Sequence, residues 1–151
     1  MRVLSIDQSL TNCGLVVWED GLVYDFSVIH SDKSEEEHKR IMYIVDIIEN
    51  ICKEESVEVI SLESLSFGSI STSVRVLAGL YYAIRIMADR LDIDCKDFTP
   101  KSVKKFATGS GNAKKPDMWK ALPLPVANFL TDLGVKSLQS ISNLSAIILI
   151  A

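Results

Sequence analysis

The chain reads as an α/β protein built on a mixed five-stranded sheet with helices on both faces. Three observations predict this. Three strand-length apolar runs open the chain, and strand-like and helix-like runs then alternate, giving the order β-β-β-α-β-α-β-α-α. The dipeptide Asp20-Gly21 between two apolar runs marks a tight hairpin. A hairpin meander followed by alternating βα units produces a mixed sheet covered on both sides. With 151 residues, 48% of them hydrophobic, the chain suits a single domain over residues 1–151 with a substantial core.

Each element follows from local pattern. Residues 3–7 and 15–19 are the first two strands, and the Asp20-Gly21 turn leads into a third at 22–29. Ser34 with Glu37 three residues later has the layout of a capping box. It opens a helix in which Ile41, Ile44, Val45, Ile48 and Ile51 recur at helical spacing. The opposite face, with Glu35, Glu36, Lys39, Arg40 and Glu49, reads as solvated. Residues 57–63 alternate only partly, as a central strand buried on both faces does. A Ser/Gly-rich loop at 64–72 carries Phe67, and Ser73 is placed to cap a helix with Val74, Leu77, Tyr81, Ile84, Ala88 and Leu91 on one face. A fifth strand spans 93–98. Thr99-Pro100 then opens a further helix, because proline suits a first turn. A Gly/Ser/Asn loop covers 108–113, and residues 143–151 form an apolar helix or buried segment.

Composition narrows the class. Cys13, Cys52 and Cys95 are odd in number and widely spaced, which argues against a disulfide framework or a cysteine zinc site and fits a reducing cytosol. No apolar run approaches the ~20 residues that span a bilayer, and Met1-Arg2-Val3 has no signal-peptide layout. A cytoplasmic location without a membrane partner is expected. The net charge is −4, but residues 101–120 hold six lysines (Lys101, Lys104, Lys105, Lys114, Lys115, Lys120) against Asp117, a local +5 that leaves −9 elsewhere. Such a stretch either meets phosphates or is a solvated lysine-rich loop.

Two carboxylates carry the chemistry. Asp7 closes the first strand and a Ser/Thr/Asn turn follows it; Glu63 closes the fourth. If those strands are parallel neighbours, both acids emerge at one sheet edge, where ligand sites gather. Hard cations such as Mg²⁺ take oxygen ligands and commonly one or two carboxylates. Paired ions roughly 4 Å apart stabilise the attacking and leaving oxygens of phosphodiester hydrolysis. Each acid taken alone reads better as a turn cap, and it is their pairing that raises the metal-ligand reading.

Ile6-Asp7-Gln8-Ser9, Leu62-Glu63-Ser64-Leu65 and Thr99-Pro100-Lys101-Ser102-Val103-Lys104-Lys105, then a Gly-rich loop and Lys115, occur in that order. Over nearly its whole length the chain resembles the RuvC family of Holliday junction resolvases in its compact bacteriophage form. The resemblance implies an RNase H-like fold and a homodimeric endonuclease. It further implies that branched DNA is cut with Mg²⁺ or Mn²⁺, in the cytoplasm of a bacterial host. Asp7 and Glu63 match the first two of the family's four catalytic carboxylates. The other two belong to an Asp-x-x-Asp opening the last helix, where this chain has Asn143 and Ala146, or Ser142 and Ser145 in a register shifted by one. No carboxylate stands in either register, so the chain is expected to be catalytically impaired, through engineering or through natural divergence or truncation. Lys104 and Lys115 match lysines that contact the junction backbone, with Lys101, Lys105 and Lys114 beside them. Phe67 lies near a position that stacks on an unpaired base, or is a core or lid residue. Tyr82 lies on the helix the family uses to dimerise. The alternatives are a non-catalytic branched-DNA-binding protein and an RNase H-like nuclease acting on RNA. The actin and sugar-kinase type also opens with strand, Asp, turn and strand, but it wants glycine-rich phosphate loops, and the 8–14 turn has one glycine.

Overall fold

The structure is a computed structural model and describes residues 1–65 and 72–132. Its elements are β1 (Arg2–Asp7), β2 (Asn12–Glu19), β3 (Leu22–His30), α1 (Glu37–Glu54), β4 (Val59–Glu63), α2 (Thr72–Arg90), β5 (Asp94–Phe98), α3 (Pro100–Thr108), α4 (Lys115–Lys120) and α5 (Leu124–Asp132). The sheet order is β3-β2-β1-β4-β5. The first three strands form the antiparallel meander, and β4 and β5 add in parallel beyond β1. Positive φ at Asp20 and Gly21 gives the mirror-image turn whose twist matches the strands it joins.

Strand alternation sorts the apolar residues into two layers. Leu4, Ile6, Ile60 and Leu62 face α1 and α2, packing with Ile44, Ile48, Leu80 and Ile84. Val3, Val16 and Trp18 face the opposite way, against Val103 of α3, Met118 of α4 and Val126 of α5. Helices therefore cover both faces. On the second face Trp18 donates its indole N–H to Ser5 Oγ at 3.0 Å, satisfying two buried polar groups in an apolar layer.

Several boundaries differ from expectation. β2 starts at Asn12 because Asn12, Cys13 and Gly14 pair with His30, Ile29 and Val28; ladder pairing overrides their weak strand propensity. The expected capping box at Ser34 does not form. The Ser34 amide donates to Asp32 Oδ1 at 2.9 Å, so residues 32–35 close a turn, and α1 begins after Glu36 without a side-chain cap. That amide also holds the Asp32 carboxyl below its ordinary range. Ser73 lies inside α2, which already includes Thr72. Beyond the 108–113 loop the chain forms α4 and α5, in a stretch where the sequence pattern assigned no element. Pro116 at the start of α4 and the Leu122/Val126 spacing were the available signals. The expected segment at 143–151 lies outside the described residues. No described helix is long and apolar enough to cross a membrane.

Candidate active site

Parallel pairing places the two acids. In the β1–β4 ladder Ile6 stands opposite Leu62, and the next residue in each strand is Asp7 and Glu63, the last of β1 and of β4. Register neighbours in a parallel pair share a face, and alternation from Val3 and Val59 assigns both acids to the α3–α5 face. Both are half-buried. The pairing condition set by the sequence is thus met: two carboxylates side by side at the carboxyl end of the central strands.

The turn after Asp7 is tied down at both ends. Gln8 Nε2 donates to the backbone carbonyl of Glu63 at 2.6 Å, a bond that crosses directly from one acid's strand to the other's. Further on, Arg40 of α1 donates to Leu10 O at 3.0 Å, to Thr11 Oγ1 at 3.3 Å and to Ser31 Oγ at 2.9 Å. Ser31 Oγ in turn donates to Leu10 O. Arg40 therefore corrects the reading of its helix face as merely solvated: its guanidinium donates to three acceptors on two neighbouring segments. Gln8 Oε1 and Ser61 Oγ are buried and without a hydrogen-bond partner among the described residues. Asp7 also acts on its surroundings: burial first, with the Asp7 charge adding to it, pushes the Cys13 thiol up to about 12. Cys13 is therefore an inert core thiol.

The basic segment forms the flank of the same face. Thr99 caps α3, its Oγ1 accepting the Ser102 amide at 3.1 Å, and Val103 anchors the helix in the core. Lys101 and Lys105 are exposed and Lys104 half-buried. The helix ends at Gly109, in the left-handed region, and the following loop folds back on α3. A side chain at Gly111 would meet the Lys101 carbonyl at 3.3 Å. That return brings Lys114 and Lys115, both exposed, to the start of α4. Lys114 donates its amide to Asp117 Oδ2 at 3.0 Å. Phe67, Asn143 and Ala146 lie outside the described residues. Gln8 and Arg40 are site-supporting residues that sequence reading missed.

The donor set suits a hard cation. Two carboxylates with open coordination left for water and phosphate are the usual provision for Mg²⁺ or Mn²⁺. Among the described residues no group of three or more His, Cys, Asp or Glu is placed to hold a metal ion.

This sheet order, with acids at the ends of adjacent parallel strands and helices on both faces, defines an RNase H-like fold. The family described as Crossover junction endodeoxyribonuclease RuvC matches residues 3–122, and the chain belongs to the RuvC family. It is 32% identical over 120 residues to the crossover junction endodeoxyribonuclease RuvC of Mycobacterium sp. (strain KMS), covering 76% of this chain and 65% of that protein. It is 29% identical over 128 residues to that of Rickettsia bellii (strain OSU 85-389), covering 82% of each. The chain thus spans just under two thirds of the mycobacterial relatives. Among solved structures it is similar to Thermus thermophilus RuvC in complex with Holliday junction substrate, with a TM-score of 0.72, 17% identity, and coverage of 91% of this chain and 98% of that one. It is also similar to the yeast mitochondrial Holliday junction resolvase Ydc2, with a TM-score of 0.66, 16% identity, and coverage of 98% and 75%. At these identities the structures attest the shared fold.

Proposed function

We propose that the chain is a structure-selective endonuclease fold that binds four-way and other branched DNA and belongs to a metal-dependent phosphodiester-hydrolysing machinery. The observation that carries this reading is the adjacency of Asp7 and Glu63 at one sheet edge, on the face whose flank holds Lys101, Lys104, Lys105, Lys114 and Lys115. Asp7 and Glu63 would hold Mg²⁺ or Mn²⁺, which supplies the activated water and the charge stabilisation that phosphodiester hydrolysis needs. The lysines position the DNA backbone without reading its sequence. Gln8 ties the start of the turn after Asp7 to the end of β4, and Arg40 holds the far end of that turn. A two-fold symmetric junction suits a homodimer with two identical sites, and Tyr82 and Ile86, exposed on α2, offer the surface for it. The cytoplasm of a bacterial host is the location consistent with this role, and the compact bacteriophage form is the subgroup the motifs most resemble.

Asn143 and Ala146 stand where the resemblance expects two further aspartates, and metal affinity tracks ligand charge. The chain as it stands is expected to bind a labelled four-way junction and to cleave it in Mg²⁺ slowly or not at all. The double variant N143D/A146D is expected to cleave it readily. Equal rates for the two proteins would reject the impairment. Tight binding with no cleavage by the double variant would favour a non-catalytic junction-binding protein, the second reading those two positions support. Competition with structured RNA separates the RNA-directed alternative.

A further inference from the structure

A third strand ends in line with the two acids. β5 runs parallel to β4, and Phe98 is the register partner of Glu63. Asp7, Glu63 and Phe98 therefore stand in one row across β1, β4 and β5, on the same face. The Phe98 carbonyl accepts the Ser64 amide at 2.9 Å, which fastens the end of β5 beside Glu63. The preceding residue, Asp97, turns the other way and is held by Tyr81 and Arg85, so the orientation of Phe98 is set from both sides. Phe98 is 38% exposed. The next residue, Thr99, caps the helix that carries Lys101, Lys104 and Lys105. A partly exposed aromatic thus occupies the seam between the acid pair and the lysines.

Each neighbour contributes to the same ligand chemistry. The lysines draw phosphates, the acid pair marks where a phosphate would be handled, and a π-face between them suits the base of the adjoining nucleotide. Stacking is available only where that base is unpaired. We propose that Phe98 contacts substrate directly, stacking on an unpaired base next to the phosphate at the Asp7–Glu63 edge, and that it favours branch points over continuous duplex. This rests on the branched-DNA reading given above.

The test uses the chain as it stands and needs no cleavage. A four-way junction carrying 2-aminopurine at the branch point is titrated with the unsubstituted chain, F98L and F98Y, with a linear duplex of matched sequence in parallel. F98L keeps apolar bulk, and circular dichroism and thermal melting confirm its fold. The expected result is a 2-aminopurine signal change with the unsubstituted chain and F98Y that is lost with F98L. Junction affinity should fall at least about 5-fold in F98L, the lower end for base–aromatic stacking, while duplex affinity is unchanged. Equal junction affinity and an equal signal for F98L overturn the role of Phe98 alone. Failure of the unsubstituted chain to bind any junction overturns the branched-DNA reading with it.

Discussion

Arg40 illustrates how a single side chain sets the geometry of residues far from it in sequence. Its fork reaches Leu10, thirty positions away, and holds the turn that begins at Asp7. Substituting Lys keeps the charge but not the planar, multi-acceptor fork. R40K is expected to destabilise the chain by about 1–2 kcal/mol, because hydrogen bonds from a charged donor to partly buried acceptors are lost. It should also speed amide hydrogen exchange at residues 10–12 relative to the β4 core. Urea unfolding and exchange mass spectrometry read the two effects. Unchanged exchange in that turn would show that Ser31 and Gln8 hold it without Arg40. None of this was legible in the sequence, where Arg40 sits among charged residues on one helix face; its partners are gathered only by the tertiary fold. The strand-end positions of Asp7 and Glu63 were legible because each closes an apolar run, but that the two stand side by side depended on β1 and β4 pairing in parallel, which the sequence left as a condition.

At the scale of elements, most starts and turns with local chemistry were legible, except the capping box read at Ser34, whose amide the Asp32 side chain takes instead; what depended on partners was not legible. β1, the Asp20-Gly21 hairpin, β4 and the Thr99-Pro100 helix start carry their own turn and cap chemistry. The onset of β2 was hidden because Asn12 and Gly14 are poor strand formers that only pairing with β3 recruits. α4 was hidden because six residues are too few to show a helical period. α3 is the element on which the lysine flank depends, and its cap is local, so its contribution can be isolated. T99A removes the acceptor of the Ser102 amide and is expected to cost about 1 kcal/mol, whereas T99S retains the bond and most of the stability. Chemical denaturation of both variants checks this. Equal losses in T99A and T99S would assign the effect to the threonine methyl group and not to the cap.

The whole molecule separates its charges by function. The residues outside 101–120 carry a net −9, and the +5 stretch at 101–120 packs over the same sheet face as the acid pair. On the proposed reading, an acidic body would repel DNA except along that flank, so the rest of the chain would help orient a phosphate backbone as well as the lysines. This makes a quantitative expectation. Phosphate contacts release counterions, and each contact adds about −0.9 to the slope of log affinity against log salt on duplex arms. If Lys104 and Lys115 each meet one phosphate, K104A/K115A reduces the magnitude of that slope by about 2 and weakens binding most at low salt. K53A serves as the control: Lys53 lies on α1, against the other sheet face, and pairs with Glu49 at 2.5 Å. Its removal should leave the slope unchanged. The measurement is junction affinity by fluorescence anisotropy across a KCl series. A slope that falls equally in K104A/K115A and K53A would mean that diffuse net charge, and not the α3–α4 flank, governs attraction. A slope unchanged in both would place the phosphate contacts elsewhere on the molecule.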